Sequence, residues 1–149
     1  MLTAREGGGP EGGDRLRGEP RRLAELTRPE SLRLLDQVPI GRIVYTVRAL
    51  PAIVPVCHLI DNGMVVVRTH VGAECAGSVV AYQADQIDAH ARTGWSVTVT
   101  GVARRVLDPD ELSGYESRLE PLIGAPAVET IRIYPEIVTG YRLVNGMDH

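Results

Sequence analysis

Phenylalanine is absent from this 149-residue sequence, which carries only one tryptophan and five tyrosines. A core must therefore rest on Val, Leu, Ile and Ala, and branched side chains of this kind favour pleated sheet. Cysteine is scarce, and Cys57 and Cys75 alone cannot build a disulfide framework. There is no excess of positive charge: the net charge is −3, so no basic footprint for a nucleic-acid backbone exists. Long apolar runs are also missing. The longest uncharged stretch, Ala49 to Ile60, contains Pro51 and Pro55 and falls short of the ~20 residues a membrane helix needs. Met1 to Glu19 lacks the apolar run of a secretory signal, so a cytoplasmic location is expected. What is present is an ordinary globular mixture, 44% apolar and 23% charged, in a chain long enough for one domain.

Residues 1–22 differ in composition from the rest. Gly7-Gly8-Gly9-Pro10-Glu11-Gly12-Gly13 loses too much entropy on ordering to hold a regular element, and the surrounding charges have mixed sign. This zone reads as a tail, 23–145 as the folded domain and 146–149 as a short C-terminal tail. A helix is expected next. Thr27 and Glu30 have the T-x-x-E spacing of a capping box, Pro29 suits the first turn, and Pro39 stops the run.

From Gly41 the period changes to strand. Ile43 to Val47, Ala52 to Ile60, Met64 to Thr69, Val79 to Ala84, Trp95 to Val106 and Ile131 to Leu143 are extended runs. Asp61-Asn62-Gly63 signals a tight hairpin turn, and Gly101 is placed for a bend or bulge. A second helix starts at Asp108, with Pro109 as first helical residue and Glu111 as capping partner. Its apolar stripe is Leu112, Tyr115, Leu119 and Leu122. Strands in hairpin succession with two flanking helices predict a mainly β protein, a mostly antiparallel barrel.

The order of short motifs carries more. Gly41-Arg42-Ile43-Val44-Tyr45, Leu50-Pro51-Ala52, Pro55-Val56, Val67-Arg68-Thr69, Val80-Ala81-Tyr82, Thr93-Gly94-Trp95-Ser96-Val97 and Pro135-Glu136-Ile137-Val138-Thr139-Gly140 follow one another along the chain. This resembles the pyridoxamine 5′-phosphate oxidase-like proteins, the flavin-binding split-barrel superfamily, and within it the small actinobacterial and nitroimidazole-resistance-like members. The resemblance implies an antiparallel split β-barrel and a homodimer. It also implies FMN, or a deazaflavin in some branches, in a groove between the two chains, where a small-molecule substrate would meet it. By the same pattern Arg68 and Thr69 fall on phosphate and ribityl positions, Val56 and His58 on the ring, and Trp95 and Ser96 on the border of the pocket. Bottom-up chemistry agrees for Arg68: a guanidinium at the end of a rigid valine strand presents a fork of donors suited to phosphate.

Two departures complicate this reading. Where the family usually shows Gly-Ser/Thr-Lys, this chain reads Gly72-Ala73-Glu74, which replaces a hydroxyl and a cation with a methyl and an anion. Only Cys75-Ala76-Gly77-Ser78 then separates that loop from the next strand. The C-terminal residues also lack the basic signature of true pyridoxamine phosphate oxidases, so vitamin B6 oxidation is not expected. The expectation is a flavin-dependent oxidoreductase that moves electrons through its cofactor, with no catalytic side chain. The alternative is a non-catalytic dimer without flavin that holds another ligand or a protein partner. Among the remaining polar residues, Cys57 and His58 are strand neighbours that point to opposite faces and cannot share one metal ion. His58 itself fits either a pocket wall or a core histidine bonded to a backbone carbonyl. Asp85 and Asp88 read as loop-shaping carboxylates.

Overall fold

A computed structural model of the chain describes residues 21–145; the two expected tails lie outside them, except for Arg21 and Arg22. Seven strands and three helices follow in the order β1 (Arg21–Leu26), α1 (Arg28–Leu35), β2 (Ile40–Val47), β3 (Leu50–Asp61), β4 (Met64–Thr69), α2 (Gly72–Cys75), β5 (Val79–Asp88), β6 (Thr93–Arg105), α3 (Pro109–Arg118) and β7 (Glu129–Asn145). The strands pair in the order β1-β7-β4-β3-β2-β5-β6, and β6 pairs again with β7, which closes a barrel.

The closure depends on β7, which serves three partners. Its first residues pair with β4, its length from Ile131 to Leu143 pairs with β6, and Gly140 to Asn145 pair with β1. Residues 134–139 thus lie between the β4 and β1 pairings. Arg28 of α1 reaches this gap and donates to the Pro135 carbonyl at 2.7 Å. Proline is tolerated at such a strand edge because it has no N–H to offer the ladder.

Alternation sorts the side chains. Ile43, Tyr45, Val56, His58, Val65, Val67, Val80, Tyr82, Val97, Val99, Ile131 and Ile133 are buried. The barrel core is mainly Val and Ile, as the lack of Phe requires, with Tyr82 the largest fully buried side chain. Asn62 and Gly63 both take positive φ, 52° and 75°, in the turn between β3 and β4, the backbone an Asn-Gly hairpin needs. Gly101 marks a register shift where β6 crosses Pro135 of β7.

Both expected helix starts form. Thr27 and Glu30 make the full capping box, and Asp108 accepts from the Glu111 N–H at 3.0 Å. Glu111 does not complete a second box: its carboxylate pairs with Arg132 at 2.9 Å. α3 packs on the outside of the barrel, where Val66, Val106, Tyr115 and Leu119 form a second cluster with Cys57, Leu59 and Leu112. Leu122 does not join that stripe, because the helix ends at Arg118 and Leu122 is exposed; Pro121 prevents continuation.

Three elements depart from the sequence expectation. β1 begins at Arg21, inside the span read as tail, and is held by pairing to β7 rather than by any strong period of its own. The segment Gly72–Cys75 forms one helical turn, with the Cys75 N–H bonded to the Val71 carbonyl and the Ala76 N–H to that of Gly72. The β5–β6 hairpin is longer than expected, so Asp85 lies within a strand and Asp88 at its end. Asp88 accepts from the His90 and Ala91 N–H groups at 2.9 and 3.0 Å and shapes the turn.

Candidate functional site

Of the six residues expected at a cofactor, four have buried side chains. Val56 and His58 share the inner face of β3, and Trp95 the inner face of β6. Thr69 ends β4 buried, with its hydroxyl oxygen accepting from the Val71 N–H at 3.2 Å. Only Arg68 and Ser96 are partly exposed.

His58 is a core residue. A carbonyl can only accept, so Nε2 carries the proton and donates to Leu35 O at 2.7 Å. Nδ1 then accepts from the Tyr82 hydroxyl. The imidazole ties the C-terminal turn of α1 to β5, which decides between pocket wall and core histidine in favour of the second. Burial holds its pKa below the ordinary 6.5, against the Leu35 hydrogen bond and the attraction of Asp36. The sign of the linkage follows. Below about pH 6.5 the unfolded chain takes up a proton that the folded protein resists, so this contribution is constant above neutrality and is lost as pH falls. Melting temperature recorded from pH 8 to pH 5, read as rough bounds of the titration range of an imidazole, is expected to decline on the acid side. The decline should flatten in His58→Gln. An unchanged acid slope in that variant would remove His58 as its source.

Arg68 sits on the same outward side of β4 as Val66, beneath α3. Its Nη1 donates to Leu119 O at the end of that helix, at 2.7 Å, and its Nε is buried without a partner. A cavity of about 170 Å³ beside it is lined also by Arg105, Glu116, Glu129 and Thr130, with Arg105 and Glu129 forming an ion pair. Leu119 as a tether for Arg68 had no signal in the sequence, since it depends on where α3 ends. Next to this end, Ala73 and Glu74 project exposed from α2. Cys75, behind them, is buried, and its thiol is pushed up to about 12 by burial, with Glu74 acting in the same direction. It is therefore a packing thiol and not a nucleophile at neutral pH.

Ser96 lies elsewhere. Arg68 pairs with Thr130 of β7, whereas Trp95 and Ser96 pair with Arg142 and Tyr141. At ~3.3 Å per residue that is up to roughly 40 Å along the strand. The chain thus brings Arg68, Thr69 and α2 together at one end, and Trp95 and Ser96 at the other, where the Gln83 amide donates to Ser96 Oγ at 3.2 Å. Among the described residues no group of three or more His, Cys, Asp or Glu side chains could hold a metal ion. Among them, too, no helix is long and apolar enough to cross a membrane.

An antiparallel barrel closed through one long strand that is shared by three partners defines a split β-barrel. The chain belongs to the pyridoxamine 5′-phosphate oxidase family, whose sequence pattern matches residues 27–142. It is 46% identical over 133 residues to the uncharacterized protein Rv0080 of Mycobacterium tuberculosis, covering 83% of this chain and 88% of that one. The FAD-binding protein from Mycobacterium smegmatis shares the fold with a TM-score of 0.67 and 32% identity, covering 80% of this chain and 97% of that one. A conserved protein of unknown function from Corynebacterium diphtheriae has a TM-score of 0.68 and 25% identity, with 82% and 98% covered.

Proposed function

We propose that this protein is a flavin-binding homodimer that acts as an oxidoreductase, with each flavin lying between two chains. The observation that carries the reading is the division of the expected site between the two ends of β7, with Arg68 and Thr69 beside its start and Trp95 and Ser96 beside its end. In a dimer, one chain would offer Arg68 to the phosphate end. The partner would bring the strand around Ser96 to the ring. The similarity to a protein that binds FAD supports flavin as the ligand.

A face suited to the second copy exists. Ile53, Val44, Ala81, Thr100 and Ile137 stand directly opposite one another across β3, β2, β5, β6 and β7. The row carries no charge, and Ile53 and Ile137 at its ends are 59% and 61% exposed. Covering such a row removes apolar surface from water, at roughly 25 cal/mol per Å².

The donors fit a flavin phosphate in part. The unpartnered Nε of Arg68 suits an anionic oxygen, while the Thr69 hydroxyl is buried on the opposite face of β4 and Ala73 and Glu74 offer no donor. When bound, the flavin would supply the redox chemistry; the chain would position it and exclude water. Glu74 favours a second reading, a dimer whose groove takes a different ligand. Light scattering on the purified protein, followed by titration with FMN, FAD and a deazaflavin, tests both. The expected result is twice the chain mass and saturable flavin uptake. A dimer that takes up no flavin supports the second reading, and a monomer at micromolar concentration overturns the shared groove.

A further inference from the structure

The β5–β6 hairpin and the end of β7 form a ribbon with a second, separate hollow on the face opposite Ser96. Gln86, Trp95 and Arg142 are register partners in one row across the three strands, and alternation puts them on the same face. They line a solvent-open hollow of about 490 Å³ together with Asp88, Thr93 and Gly94, a volume within the ~300–1,000 Å³ of small-molecule sites.

Its chemistry is polarised. The base of the hollow is formed by the edge of Trp95, whose ring is otherwise buried in the core with 5% exposed, and by Gly94, which carries no side chain. At one side is Arg142, exposed and, among the described residues, without a hydrogen bond or ion pair; only a longer-range attraction to Glu30 engages it. The Gln86 amide and the Thr93 hydroxyl add hydrogen-bonding groups. Asp88 lies at the opposite side, one of its oxygens already taken by the turn, and disfavours a second anionic group there. We propose that this hollow binds a small monocarboxylate, with its carboxylate held by the Arg142 guanidinium and its apolar part against the exposed edge of Trp95. A guanidinium matches a carboxylate with two parallel hydrogen bonds, which adds orientation to attraction. The hollow lies on the face opposite Ser96 and the exposed row, and Trp95 is the one residue it shares with those expected at the flavin.

Trp95 is the chain's one tryptophan, so its emission reports on this site alone. Benzoate is the probe and benzyl alcohol its neutral counterpart, titrated into the full-length protein with excitation at the red edge of indole absorption. Benzoate is expected to change the emission saturably in the millimolar range or below. Benzyl alcohol should act at least about tenfold more weakly, or ~1.4 kcal/mol. In Arg142→Gln, benzoate should fall to the level of the alcohol without a change in melting temperature. The proposal is overturned by no saturable response to benzoate, by equal responses to the two probes, or by an unaltered benzoate response in Arg142→Gln. The comparison of probes on the native chain decides the matter even if the variant folds poorly.

Discussion

Gly101→Ala is expected to cost about 3 kcal/mol or more and to lower the melting temperature by about 10 °C. Gly101 lies at the register shift in the ladder between β6 and β7, the pairing that closes the barrel. A Cβ there would lie 1.7 Å from Tyr134 O and 2.8 Å from Tyr134 C. These are backbone atoms of the facing strand, so no rotamer change relieves the clash. The strands must part at the bulge, and neighbouring ladder hydrogen bonds lengthen with them. Gly114→Ala in α3 is the matched control. Nothing lies within 4 Å of its Cβ position, and a helix interior gains ~1 kcal/mol from that exchange. Thermal melts of the two variants should therefore move in opposite directions. A Gly101→Ala protein that melts with the native chain would mean that the shift is not where the barrel is held.

How much of this was legible in the sequence depends on whether the signal was local. The six central strands and both long helices announce themselves by period, β-branched composition and capping residues, all contained in a few neighbouring positions. Asn62-Gly63 and Thr27/Glu30 are of this kind, and both form as written. β1 is different. Arg-Arg-Leu-Ala-Glu-Leu has no alternation that demands a strand, and its order comes from the end of β7 more than a hundred residues away. The true length of the β5–β6 hairpin was hidden for a related reason, since Asp85 and Asp88 read as turn residues until β6 pairs with them. The candidate site was legible as residue types but not as a place. Alternation alone predicts that Val56 and His58 share a face; only the closed barrel makes that face the core. Arg68 could be read as a donor at a strand end, yet its tether to Leu119 needs the position of α3. That Arg142 stands opposite Trp95 required the register of three strands.

Glu74→Lys with Ala73→Ser is expected to raise FMN affinity by at least about tenfold, or ~1.4 kcal/mol. Both residues are exposed on α2, next to the end of β4 where Arg68 would meet a flavin phosphate. At present the loop offers that dianion a methyl and a carboxylate. The double change supplies a hydroxyl donor and reverses one charge, a difference of two charge units at one contact. In bulk solvent such a change is screened heavily, so only a fraction of the Coulomb energy survives. For the same reason the gain should shrink as salt rises and the Debye length falls. FMN should gain more than riboflavin, which has no phosphate; equal gains would point to a general change in the groove. Arg68→Ala in the same background should remove most of the increase, because its guanidinium is the remaining fork at this end. That variant also loses the bond to Leu119 O, so its melting temperature must be recorded beside its affinity. Loss of the gain with α3 still in place assigns it to the phosphate. No gain from the double change, in a protein that stays folded and dimeric, would place the phosphate elsewhere and favour the reading in which the groove serves another ligand.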